Sequence, residues 1–149
     1  MATIRLAPDF REFLQLLRSA KIRYLLVGGY AVGHYGYPRA TGDLDIWVAV
    51  DRTNAEALVE VLRGFGFDVP ELNVALLQQP RRIIRMGVPP VRIELLTGID
   101  GVSFDECFER RTTVEIDGVA VDIISLEDLK TNKRASGRHQ DLDDVARLP

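Results

Sequence analysis

The chain has 149 residues, 46% of them apolar and 28% charged, which is enough for one buried core and gives no reason to expect a second domain. A net charge of -3 excludes a general attraction to nucleic acid, so any polynucleotide contact has to come from a local basic patch. The lone Cys107 excludes an internal disulfide and a cysteine-based zinc site. With charged residues breaking the apolar N-terminal stretch, a reducing, cytoplasmic setting and no membrane partner are expected.

Phe10, Phe13, Leu14 and Leu17 recur at helical spacing after Pro8-Asp9 and predict a packing helix ending near Ala20. Tyr24-Leu25-Leu26-Val27 reads as a short buried strand, Gly28-Gly29 as the turn that ends it, and 30–35 as a short helix stopped before Pro38. An acidic strand follows over 43–50. Asp51 or Thr53 caps a helix with Ala57, Leu58, Val61 and Leu62 inward, ending at Gly64-Phe65-Gly66. Segments 81–86 and 91–95 form a hairpin around the Gly87-to-Pro90 turn, and 112–116 and 119–124 form another around Asp117-Gly118. Ser125 caps a helix running to about Ser136, Gly137 ends it, and 140–148 is a last short helix. No element is assigned to 67–80 or 96–111. The order of elements predicts an α/β (α+β) architecture, a central mixed sheet with flanking helices.

The chemistry concentrates at Asp43-Leu44-Asp45-Ile46. Side chains alternate along a strand, so both aspartates project to one side while Leu44 and Ile46 enter the core. Paired, half-buried carboxylates repel one another unless a cation sits between them, which points to Mg²⁺. The turn at Gly28-Gly29 leads from a strand into a helix and lets an anion approach backbone N–H groups. Phosphate on the turn and metal on the aspartates together describe a nucleoside triphosphate (NTP) site.

This arrangement resembles the nucleotidyltransferase superfamily, the polymerase-beta-like fold, whose signature is a hydrophobic strand, G-G or G-S, a spacer and then D-x-D or D-x-E in a second strand. Within it, the chain is most similar to minimal nucleotidyltransferases and to the AbiEii-like group, the latter through Leu126-Glu127-Asp128-Leu129, Lys133, Gly137-Arg138 and Asp141-Leu142-Asp143-Asp144. The resemblance implies Mg²⁺-dependent transfer of a nucleoside monophosphate from an NTP to a hydroxyl of a small molecule, protein or RNA, with two metal ions. It also implies a third acid in a short apolar context. Glu94 in Val91-Arg92-Ile93-Glu94-Leu95 fits that context, and Asp122 in Val119-Ala120-Val121-Asp122-Ile123 is the rival. By the same resemblance Lys133 grips the triphosphate and Asp141 assists the acceptor, while Tyr30 stands where many members carry serine. Arg39 and Thr41 stand in the loop before the metal strand and are candidates to approach phosphate.

Each reading has a structural competitor. Asp43 and Asp45 can mark a solvated edge strand, although aspartate disfavours strands. Gly28-Gly29 can be a plain tight turn. Lys130, Lys133, Arg134 and Arg138 form one basic helix side, which can be simply solvated and paired with Glu127, Asp128 and Asp141. With Lys133 facing the triphosphate instead, its loss is expected to weaken NTP binding with little loss of stability. Arg81 and Arg85 share a strand face opposite Arg82, so they do not define a single acceptor patch. A non-catalytic module, such as a toxin-antitoxin partner, is the alternative within the fold, and the shortness of the chain favours a homodimer or a partner subunit. A D-x-D glycosyltransferase needs a much longer nucleotide-sugar domain.

Overall fold

The computed structural model describes residues 4–37, 42–88 and 90–149. Its elements run α1 (Pro8–Ser19), β1 (Tyr24–Val27), α2 (Gly28–His34), β2 (Asp43–Val48), α3 (Arg52–Phe65), α4 (Val74–Gln78), β3 (Ile83–Val88), β4 (Val91–Leu96), α5 (Phe104–Glu109), β5 (Thr112–Ile116), β6 (Val119–Ile123), α6 (Leu126–Ser136) and α7 (His139–Arg147). The strands form one six-stranded sheet in the order β3-β4-β2-β1-β6-β5. Pairing is mixed: β4–β2 and β1–β6 are parallel, and β3–β4, β2–β1 and β6–β5 are antiparallel. The central strands β2 and β1 bury Leu25, Leu44, Ile46 and Val48 completely, as their apolar runs require.

Local chemistry sets the boundaries. The Asp51 carboxylate accepts from the Asn54 N–H and starts α3, and Gly66 ends it in the left-handed conformation. The Ser125 hydroxyl accepts from the Asp128 N–H at the start of α6, and Gly137 closes that helix the same way. Asp117 and Gly118 both have positive φ, the geometry a two-residue hairpin turn demands. α1 buries Phe10, Phe13, Leu14 and Leu17 against β6 and α3, as its spacing predicts.

Four differences from the sequence reading have physical causes. The glycine pair lies inside the first turn of α2 rather than before it. Helices α4 and α5 have only five and six residues, too short for periodicity to declare them. Arg81 stands before β3 in a turn with positive φ, so it does not share that strand's face with Arg85. The basic side expected of α6 does not form, because Lys133 turns inward and is buried, and Arg138 caps α7 beyond Gly137.

Candidate active site

Parallel pairing of β2 with β4 brings the acidic residues together. Asp43 lies in register with Arg92 and Asp45 with Glu94, and on both strands the next apolar residue points the other way into the core. β1 flanks β2 on its other side and ends opposite Asp45 at Val27, so the first residue of α2, Gly28, sits against the Asp45 carboxylate. A side chain at Gly28 would collide with the Asp45 carboxylate, and Gly28 has φ +69°. Only glycine meets both demands, so this glycine serves the acidic cluster as much as any ligand.

A cleft of about 610 Å³ opens over these residues, within the range of small-ligand sites. Gly28, Gly29, Asp43, Asp45 and Glu94 line one part of it, and Lys133, Ser136, Arg138 and Asp141 from the α6–α7 corner line another. Arg81, Ile83, Leu96 and Ile99 extend the wall. Asp122 lies elsewhere: its carboxylate accepts from Thr113 and pairs with Arg18 and Arg111, and it borders a separate, smaller cavity. Glu94 therefore stands beside the aspartate pair, and Asp122 does not. Arg39 and Thr41 fall outside the described residues.

The acids of the strand cluster are unequally compensated. Arg92 donates through Nε to Asp43 Oδ1 at 3.1 Å and through Nη2 to Asp43 Oδ2 at 2.9 Å. The same Nη2 lies 3.4 Å from Glu94 Oε1, which also accepts from Arg85 Nε at 3.1 Å. Asp45 fares differently. Burial, the charges of Glu94 and Asp43 and a hydrogen bond shared with Glu94 push its carboxyl up to about 7, against a weaker opposing pull from Lys133.

The helical corner has the opposite balance. Lys133 Nζ lies 3.1 Å from Asp141 Oδ1 and 3.2 Å from Asp144 Oδ2, and all three residues are buried. Burial works against ionisation of Asp141, but hydrogen bonds from Arg138, Ser136 and Lys133 outweigh it and hold the carboxyl at about 2. A carboxylate so well satisfied is a poor proton acceptor near neutrality and a good anchor for the ammonium. Sequence reasoning missed one member of each cluster. Arg92 was legible two residues before Glu94 on the same strand face; Asp144 was legible as a residue one helical turn from Asp141, less one position.

Three carboxylates offer only oxygen donors, the set a hard divalent cation prefers, and the Asp45 carboxyl is raised first by burial and then by the charges of Glu94 and Asp43. On those grounds Asp43, Asp45 and Glu94 suit Mg²⁺. Among the described residues, however, no three acids stand arranged as a metal cage, and Arg92 spans both oxygens of Asp43.

A family model described as a nucleotidyl transferase of unknown function (DUF2204) matches residues 7–149. The chain belongs to this family. Solved structures agree on the fold of this DUF2204 chain. A candidate nucleotidyltransferase from Thermotoga maritima, TM1012, is similar at TM-score 0.59 and 17% identity, over 96% of this chain and 94% of that one. The lincosamide antibiotic adenylyltransferase LnuA, determined with lincomycin bound, is similar at TM-score 0.56 and 14% identity, over 95% and 94% of the two chains. The nucleotidyltransferase fold expected from the glycine and D-x-D motifs is thus the fold of this chain. The AbiEii-like subgroup finds no support in these comparisons. A search of curated proteins returns no match. Among the described residues no helix is long and apolar enough to cross a membrane.

Proposed function

We propose that this DUF2204 chain transfers a nucleoside monophosphate from an NTP to a hydroxyl of a small molecule, protein or RNA in a Mg²⁺-dependent reaction. The observation that carries the reading is the gathering of Asp43, Asp45 and Glu94 on two parallel strands, with Asp45 and Glu94 in register, facing one cleft with Gly28 and Lys133. Asp43, Asp45 and Glu94 would hold the metal, which supplies neutralisation of triphosphate charge and a more acidic acceptor hydroxyl.

The remaining work falls to side chains and backbone. Gly28 and Gly29 line the cleft with no side chain to keep a phosphate away. Lys133, an ammonium with three donors and two held by Asp141 and Asp144, presents a fixed positive charge to the departing pyrophosphate. Asp141 orients that lysine rather than taking a proton from the acceptor, given its three donors and its low carboxyl pKa.

The test is to incubate the protein with Mg²⁺ and each α-labelled NTP in cell extract, then follow the label into RNA, protein and small molecules. Transfer by wild type and its loss in Asp45→Asn support the proposal. NTP binding with no label transferred to any fraction favours a non-catalytic binding module instead.

A further inference from the structure

The contact that most needs explaining is the one between Arg92 and the acids. Its guanidinium takes both oxygens of Asp43 in a two-pronged grip and reaches Glu94 Oε1 at 3.4 Å, so one side chain bridges two members of the trio. Arg85 closes on the same Glu94 oxygen from β3. Placement follows from register: Arg92 faces Asp43 across the parallel pair, one step along the strands from the Asp45–Glu94 pair. A divalent cation held by the trio needs these same oxygens, and a carboxylate whose two oxygens face a guanidinium fork has none well placed for a metal.

We propose that Arg92 is a tethered counter-ion of the acidic trio, which yields Asp43 to the divalent cation and passes its guanidinium to the nucleotide's phosphates. The inference rests on the metal-site reading given above. Charge arithmetic favours the exchange once nucleotide arrives, because the divalent cation brings more positive charge to the carboxylates and the triphosphate brings a polyanion to the arginine. The side chain is anchored on β4 and about a quarter exposed (29%), so it can swing from Asp43 into the cleft without unfolding its strand. A planar fork suits phosphate oxygens as well as carboxylate oxygens.

The experiment measures Mn²⁺ binding by the spin-resonance signal of the free ion, and binding of inorganic tripolyphosphate with Mg²⁺ by calorimetry. Wild type, Arg92→Gln and Arg92→Lys are compared. Removing the competitor should tighten Mn²⁺ binding at least fivefold in Arg92→Gln, while tripolyphosphate binding weakens at least tenfold. Arg92→Lys keeps the charge and loses the fork, so its Mn²⁺ affinity should fall between the two; it also serves if Arg92→Gln does not fold in metal-free buffer. Mn²⁺ binding that is equal or weaker in the variants, or tripolyphosphate binding that is unchanged, overturns the proposal. If neither wild type nor variants bind Mn²⁺ even with saturating tripolyphosphate, the metal site beneath it falls instead.

Discussion

Two groups of carboxylates face the same cleft and are treated in opposite ways. On β2 and β4 the acids outnumber the charge available to them, and Asp45 is pushed up to about 7. At the α6–α7 corner Asp141 and Asp144 surround a buried lysine, and Asp141 is held down at about 2. The strand cluster stores a demand for positive charge, while the helical cluster has met its own. In the proposed function the first region recruits the cation and the second presents a positive charge to the triphosphate.

The largest effect should come from emptying the helical cluster. Lys133→Ala leaves two buried carboxylates facing each other and should cost about 3–5 kcal/mol, seen as a fall in Tm on the order of 10 °C. This reverses the sequence-based expectation that Lys133 could be lost at little cost, since the residue is 6% exposed rather than on a solvated face. If the cluster acts as a unit, Lys133→Ala combined with Asp144→Ala should cost less than the sum of the single variants, measured by denaturant unfolding.

Gly28→Ala probes the boundary of the strand cluster. Its positive φ and the collision of an added Cβ with the Asp45 carboxylate predict a loss of about 1–3 kcal/mol. Pairing the change with Asp45→Ala removes the carboxylate but keeps the Asp45 Cβ 2.9 Å from the added methyl, so it should recover only part of the steric cost, again by denaturant unfolding.

Asp45→Asn should do the reverse of Lys133→Ala and stabilise the metal-free protein at pH 8 by about 1 kcal/mol, or roughly 2–4 °C in Tm. The sign follows from linkage. Asp45 has a folded pKa raised from 3.8 to about 7, so its favourable contribution is full at pH below the unfolded value and is lost as pH rises through 7. Asp141, lowered from 3.8 to about 2, contributes above its unfolded value and loses that contribution as pH falls toward 2. In a Tm-against-pH series Asp45→Asn should flatten the decline between pH 4 and 7 and leave the acid limb unchanged. Asp122→Asn, outside the cleft, keeps an acceptor for Thr113 but loses the charge facing Arg18 and Arg111, and should cost about 0.5–1 kcal/mol without changing the decline between pH 4 and 7.

The legible and illegible parts of the sequence divide along the range of the interactions involved. Caps and turns are local, so Asp51, Ser125, Gly137 and Asp117-Gly118 marked their boundaries correctly. The alternation of Asp43 and Asp45 against Leu44 and Ile46 is equally local, and so is that of Glu94 against Ile93 and Leu95. Which strands lie side by side is not local, and Arg92 acquires its meaning only when β4 pairs with β2 in one register. Burial of Lys133 was hidden for a related reason: helical spacing placed it among cations, and the carboxylates that draw it inward arrive from the next helix.

The central claim is that the strand cluster, and not some other acidic group, is the metal-dependent nucleotide site. Calorimetric titration of each NTP in Mg²⁺ into wild type, Asp45→Asn and Asp122→Asn tests it most directly. Wild type and Asp122→Asn should bind at least one NTP in a Mg²⁺-dependent manner, and Asp45→Asn should weaken that binding at least tenfold. Binding that survives Asp45→Asn intact, or that needs no Mg²⁺, would contradict the claim.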